Sequence, residues 1–325
     1  MSDGWAAGAR EREAALEALA KLAGPCGERN APLAPYTSLR VGGPADLLVS
    51  PDSVDLLQRL LAAAAEAGVP RTIIGAGTNL LVADDGVRGL VIRIARPLGR
   101  VVFQDATVQV EAGASLPGLA AQCARRGLAG LEFAGGIPGT VGGAVVMNAG
   151  ANQSNIGQTL QWVDAFSLAG EPRRFQAEEL ELRYRGSRFL REPWVVARAL
   201  LALEPDDPER IRERMRAYLE RRRRTQPLGT HNAGSIFKNP PGDYAGRLLE
   251  AVGAKGWTEG AAQVSTRHAN FIINRGGARA ADVWRLIRRM QQAVAEAYGI
   301  HLELEVRLVG WPVPEGVSAG VRLPD

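Results

Sequence analysis

Residues 130–150 read Gly-Leu-Glu-Phe-Ala-Gly-Gly-Ile-Pro-Gly-Thr-Val-Gly-Gly-Ala-Val-Val-Met-Asn-Ala-Gly, and no other stretch narrows the possible folds of this chain as much. Seven of these residues are glycine, yet Leu131, Phe133, Ile137, Val141, Val145, Val146 and Met147 are set between them. A solvated linker would be polar, and an ordinary helix would carry far less glycine. Glycine permits positive φ and leaves no Cβ in the way, so a second body can lie directly against the peptide N–H groups. The apolar residues put that contact inside the protein, which points to a large buried ligand bearing phosphates. A shorter counterpart, Gly75-Ala76-Gly77-Thr78-Asn79-Leu80-Leu81-Val82, follows an apolar strand at 72–74. One glycine loop is commonly no more than a turn; two point to one ligand held from both sides.

Neither loop carries a familiar nucleotide signature. Gly75-Ala76-Gly77 lacks the third glycine at dinucleotide spacing and runs into apolar residues rather than an amphipathic helix. No Gly-Lys-Ser/Thr follows either loop, so a P-loop is excluded as well.

A chain of 325 residues, 46% of them apolar, is long enough for two or three packed domains. Its apolar runs fall far short of the ~18 residues that a membrane span requires. Residues 1–23 mix Arg10, Glu11, Arg12, Glu13, Glu17 and Lys21 with alanine and leucine, the pattern of an amphipathic helix and not of a signal peptide. Cys26 and Cys123, far apart and without metal-ligand spacing, fit a reducing cytoplasm. The net charge is +4, but 39 basic residues face 35 acidic ones, and the arginines of 210–224 alternate with Glu209, Glu213 and Glu220 at helical spacing. Most of that run therefore reads as a solvated helix face, with no nucleic-acid partner implied.

Along the chain, a strand at 46–49 precedes a helix at 53–67 capped by Asp52 and stopped by Gly68. Strands at 72–74 and 90–94 complete a small α/β unit. Strands at 101–103 and 107–112, a helix at 115–126, and strands at 162–168 and 194–203 follow. Glu204-Pro205-Asp206-Asp207-Pro208 reads as a boundary. Beyond it come a charged helix at 209–224, a short strand at 235–238, a helix at 244–252, a strand at 270–273 and a helix at 282–298. In the last helix Val283, Leu286, Ile287, Met290 and Val294 form one apolar face. Residues 301–308 alternate as a strand, with Leu302, Leu304, Val306 and Leu308 facing a core and Glu303, Glu305 and Arg307 facing away. The tail 311–325, with three prolines and no periodicity, is expected to be loosely packed.

Three histidines and no Cys/His cluster leave no metal centre, and no Gly-x-Ser-x-Gly elbow marks a serine hydrolase. The strongest local candidate for chemistry is Asn232-Ala233-Gly234-Ser235-Ile236-Phe237-Lys238-Asn239-Pro240, polar side chains at the mouth of a strand beside a permissive glycine. On composition alone an ordinary β-turn is the favoured reading.

Taken together, these segments resemble one family. Arg40-Val41-Gly42-Gly43-Pro44-Ala45, Gly75 to Leu81, Gly135 to Gly143, Met147-Asn148-Ala149-Gly150, Tyr184-Arg185-Gly186-Ser187-Arg188-Phe189, Ala233 to Pro240, His268 to Asn274 and Glu305-Val306-Arg307 stand in the order found in the UDP-N-acetylenolpyruvoylglucosamine reductase family. The resemblance implies an α+β protein: an FAD-binding fold of the vanillyl-alcohol-oxidase (PCMH) type in two subdomains, then a smaller α/β substrate domain. The expected division is an N-terminal helical extension at 1–35, the FAD domain at 36–204 (subdomains 36–98 and 99–204), the substrate domain at 205–310 and a tail at 311–325. It implies non-covalent FAD, NADPH as co-substrate, a UDP-sugar substrate whose enolpyruvyl ether is reduced to UDP-N-acetylmuramate for peptidoglycan synthesis, and a monomeric cytoplasmic enzyme without a metal.

By the same resemblance Arg185 and Glu305 stabilise the charge that develops toward the substrate carboxylate, and Ser235 delivers the proton. Asn239 binds substrate. Gly75, Ala76, Gly77, Thr78, Asn79, Leu80, Gly135, Gly136, Ile137, Pro138, Gly139, Thr140, Gly143, Asn148 and Gly150 bind the cofactor. Thr78 stands where the family usually has serine, and Asn152 where it commonly has an aromatic. The tyrosine-bearing insertion of one branch is not evident, so the shorter branch is the nearer match. Two rivals share parts of the pattern: a flavoprotein oxidase of the same fold, which needs no proton donor at Ser235, and a basic nucleotide- or RNA-binding protein without redox function.

Overall fold

The computed structural model describes residues 8–311. Helix α1 (Ala9–Ala23) buries Leu16, Leu19 and Ala23 against the first sheet and helix α2 (Val54–Glu66). That sheet has the order Gly27–Pro32, Pro44–Val49, Val87–Arg93, Arg71–Ile74; its first pair is antiparallel and the rest parallel. The segment expected as a purely helical extension thus also supplies an edge strand. Helix α2 buries Leu56, Leu57, Leu60, Leu61 and Ala64 on one face. Its cap is Ser53 and not Asp52: the Ser53 hydroxyl accepts from the Leu56 amide at 3.2 Å, three residues along, where an N-cap oxygen reaches.

A second, antiparallel sheet runs Pro172–Gln176, Leu160–Ser167, Trp194–Ala202, Thr107–Glu111, Val101–Gln104. It shares one continuous core with the first, which includes Val108, Val163, Phe175, Ala199 and Leu201. Helix α3 (Leu116–Arg125), capped by Ser115, and the short helix α4 (Val141–Met147), capped by Thr140, pack into that core. A third of the long glycine stretch is therefore α-helical, with Gly142 pressed so closely on Ala112 that a Cβ there would sit 2.8 Å from the Ala112 Cβ.

Around residue 204 the chain does pair briefly, Glu204–Pro205 with Leu128–Ala129, before Asp207 caps helix α5 (Pro208–Thr225) by accepting from the Glu209 and Arg210 amides. Helix α5 lies beyond the expected division, yet it packs on the 3₁₀ turn Glu132–Gly136 and on α3, with Ile211 buried against Ala124 and Ala129.

The C-terminal core surrounds helix α7 (Ala280–Tyr298), whose Val283, Leu286, Ile287, Met290 and Val294 are all fully buried as their spacing requires. Against it lie helix α6 (Ala245–Ala251) and a small antiparallel sheet, His231–Asn232, Ile272–Asn274, Ala262–Val264, Thr258–Glu259. Two expected strands are corrected. Residues 235–238 are irregular, with only an isolated bridge from Phe237 to Leu304. In 301–308 the alternation is real for Leu302 and Val306, which are buried, but beyond the single Leu304 bridge only Arg307–Val309 forms a ladder, with the parallel strand Leu80–Val82 of the other half. Trp311, expected to begin a loose tail, is docked: its indole N–H donates to the Leu81 carbonyl at 2.9 Å. Residues 312–325 lie outside the described residues, as do 1–7 of the N-terminal helix expectation.

Candidate active site

The two glycine loops meet. The Thr78 hydroxyl donates to the Pro138 carbonyl at 3.1 Å, and a Cβ on Gly75 would fall 2.7 Å from Thr140 Oγ1. Behind the first loop, a Cβ on Gly77 (φ +67°) would fall 1.9 Å from the Tyr36 carbonyl oxygen, and the Ser38 amide donates to the Gly77 carbonyl. Only glycine allows the loop to lie this close to the 36–38 segment. Gly135 and Gly136 are taken up differently: their α-carbons face Met215 and Arg222 of α5. Gly139 and Gly143 leave open space, apart from the Thr78 and Thr140 hydroxyls at 3.4 and 3.5 Å.

Glu305 joins this region through the backbone. Strand Leu80–Val82 continues directly from the first loop and pairs with Arg307–Val309. The Asn79 side chain donates to the Glu305 carbonyl at 2.9 Å, and the Arg307 amide donates to the Asn79 carbonyl. On its other side the Glu305 amide donates to the carbonyl of Ile236, the residue after Ser235. Ser235 and Glu305 are thus held on adjacent backbones although the expected strand is absent. Asn270, 3% exposed, fixes the Ser235 segment by accepting from the Phe237 amide and donating to the Phe237 carbonyl. The half-buried Ser235 hydroxyl makes no hydrogen bond to another described residue.

Arg185 arrives from a third direction, on a tight turn closed by reciprocal Arg183–Gly186 backbone bonds, with φ +53°. Its Nε lies 2.6 Å from Glu305 Oε1, and its Nη1 donates to the Gly150 carbonyl at 2.8 Å. The Nε contact is an ion pair without good hydrogen-bond alignment. Asn148 anchors the turn: it donates to the Arg183 carbonyl and accepts from the Gly157 amide. Its side chain is therefore committed within the protein, and Gly150 presents its carbonyl to Arg185. The Asn239 Oδ1 accepts from the Ala245 amide at the start of α6.

Burial raises the Glu305 carboxyl above the usual glutamate range, and the Arg185 guanidinium only partly opposes this. The protonated form is thus favoured more than in an exposed carboxylate. Burial lowers the pKa of Arg307, two residues further along the chain. The sequence reading missed Asn270 and Arg222. Arg222 was within reach, because it continues the Ile211, Met215, Tyr218 stripe of α5. Asn270 was not, because its value lies in a contact 33 residues away.

Residues 45–175 match an FAD binding domain, and residues 226–309 match the UDP-N-acetylenolpyruvoylglucosamine reductase C-terminal domain. The UDP-N-acetylenolpyruvoylglucosamine reductase of Moorella thermoacetica is 50% identical over 281 residues, covering 86% of this chain and 92% of its own. That of Rubrobacter xylanophilus is 48% identical over 289 residues, covering 89% and 97%. The crystal structure of UDP-N-acetylenolpyruvylglucosamine reductase from Thermus caldophilus superposes with a TM-score of 0.76 at 41% identity, over 87% of this chain and 98% of that one. With relatives this similar along nearly their whole length, the chain belongs to the UDP-N-acetylenolpyruvoylglucosamine reductase family.

Proposed function

We propose that this protein uses FAD and NADPH to reduce UDP-N-acetyl-3-O-(1-carboxyvinyl)-glucosamine to UDP-N-acetylmuramate, a step of peptidoglycan precursor synthesis. The observation that carries this reading is the convergence of Arg185, Glu305 and the Ser235 segment, from three distant parts of the sequence, beside the joined glycine loops.

The residues present fit the cofactor. Gly139 and Gly143 open a space that a Cβ would enter, and Ser38 Oγ is buried beside the loop without a partner. Residues 75–80, 137–140 and 143 would hold FAD, chiefly through backbone amides. When bound, the flavin takes up hydride from NADPH and supplies it to the methylene carbon of the enolpyruvyl group.

This chain's own groups do the rest. With Nε on Glu305 and Nη1 on Gly150, Arg185 still has N–H groups for two-point contact with the substrate carboxylate. Glu305, held beside Arg185 and biased by burial toward its protonated form, can donate to the same developing charge when it carries the proton, without reorganisation. Ser235 delivers a proton to the second carbon; among the described residues its hydroxyl has no competing acceptor. Asn239, with its carbonyl oxygen on the α6 terminus, keeps its amide N–H groups for the sugar nucleotide. We also propose the cytoplasm as the compartment, on the unpaired Cys26 and Cys123. Among the described residues no helix is long and apolar enough to cross a membrane.

Anaerobic mixing tests the reading. NADPH should bleach the protein-bound flavin, and the enolpyruvyl sugar nucleotide should restore its colour. Bleaching without restoration would leave a flavoprotein that acts on something else.

A further inference from the structure

Arg185 and Glu305 meet where little water reaches: Nε lies 2.6 Å from Oε1, and the Glu305 side chain is 14% exposed. The guanidinium is also tied to the Gly150 carbonyl through Nη1, so it is fixed with respect to the carboxyl. Few other charges bear on Glu305. Lys238, on the Ser235 segment, acts on it more weakly than Arg185 does and is itself paired with Glu303 at 3.0 Å. Arg222 of α5 repels Arg185 but does not act on Glu305. No further charged group among the described residues acts on this carboxyl. One guanidinium therefore balances one desolvated carboxylate, and nothing is held in reserve for a second.

The functional reading above, on which this inference rests, brings a second carboxylate to the same guanidinium. Two carboxylates on one poorly hydrated cation leave an excess negative charge, and such pairs resolve it by holding a proton. Of the two, Glu305 is the better base, because burial already disfavours its ionised form, whereas a carboxyl beside an ether-bearing carbon is the stronger acid. We propose that the substrate carboxylate docks on Arg185 together with one proton that goes to Glu305, so that binding of the sugar nucleotide itself puts the acid in place. The step balances: an ionised Glu305, an ionised substrate and one proton from solvent give a neutral Glu305 beside the intact substrate carboxylate. One O–H bond forms at Glu305, and no bond of the substrate breaks. Ser235 keeps its own proton for the carbon. A ligand without the carboxylate leaves the Arg185–Glu305 pair as it is.

Calorimetric titration of the oxidised, FAD-loaded protein in buffers of different ionisation enthalpy counts the protons taken up. Somewhere between roughly pH 5 and pH 9, the enolpyruvyl sugar nucleotide and UDP-N-acetylmuramate, which both carry the carboxylate, should take up as much as about one proton per molecule bound. The bound state holds that proton more tightly than the free one, so their Kd should rise with pH, by about tenfold per unit where uptake is fullest. UDP-N-acetylglucosamine, which lacks the carboxylate, should bind without uptake, and in E305Q uptake with the other two should vanish. If E305Q binds none of them, the comparison of ligands on the wild type decides alone. Absence of uptake with the carboxylated ligands throughout that range overturns the proposal. So does equal uptake with UDP-N-acetylglucosamine, or uptake that persists in E305Q and so belongs to another group. If the wild type bound no FAD, or none of the three nucleotides, the functional reading itself would fall.

Discussion

The glycine loops and the Arg185–Glu305–Ser235 trio are both fixed in place, but by different forces. The loops are held by close approach of backbones: Gly77 against Tyr36, Gly75 against Thr140, Gly142 against Ala112. Any side chain there is a collision, so the residue type is dictated at each position. The trio is held by side-chain amides, one asparagine for each member. Asn148 anchors the Arg185 turn, Asn79 the Glu305 carbonyl and Asn270 the Ser235 segment. A carboxamide donates and accepts at once, so it can tie an irregular backbone that has no ladder of its own. Steric exclusion suits a surface that must lie flat against a ligand; amide staples suit side chains that must converge from separate elements.

The difference can be broken first at Gly77. Gly77→Val forces a clash with the Tyr36 carbonyl at positive φ, and should cost about 3–5 kcal/mol in urea unfolding, with loss of flavin. A soluble, yellow, fully stable variant would show that the loop is less tightly determined than its geometry says. Ser235→Ala should leave stability and NADPH-driven bleaching near wild type, while reoxidation by the sugar nucleotide slows by about 10²–10⁴ in stopped flow. Equal loss in both half-reactions would remove Ser235 from proton delivery. Asn270→Ala strands the Phe237 amide and carbonyl, and about 2 kcal/mol of stability should go with them. Its reoxidation rate should fall while flavin content holds, which separates staple from cradle.

Glu305→Gln acts on folding chiefly through a change in pH dependence. The folded pKa of Glu305 lies above its unfolded value, so the folded state binds the proton more tightly. The stability this confers is complete below pH ~4.5 and is lost as pH rises through the folded pKa. Denaturation from pH 4 to 8 should therefore show a shallower decline in the variant. Identical slopes would mean that Glu305 does not titrate differently in the fold.

How much of this could be read from the residues follows the same division. The loops were legible because glycine reports a backbone constraint at the position where it stands. The α7 core face was legible because Val283, Leu286, Ile287, Met290 and Val294 carry a helical period. The segments around Ser235 and Glu305 were misread as strands, since alternation reports which side chains are covered and not whether a partner backbone lies alongside. Leu302 and Val306 are buried as alternation predicts, yet the ladder begins only at Arg307. Resemblance to a family supplied the trio. The staples that hold it, being long-range contacts of single asparagines, left no local pattern to find.

The bond from Asn79 to Glu305 spans 226 positions of the chain. While the protein is being synthesised, the first loop leaves the ribosome long before the strand that pairs beside it exists. Until roughly residue 309 has emerged, Leu80–Val82 must wait as an unpaired edge. The edge beside the first loop is then closed only late in synthesis, and the growing chain depends on other means to keep it from pairing with a neighbour.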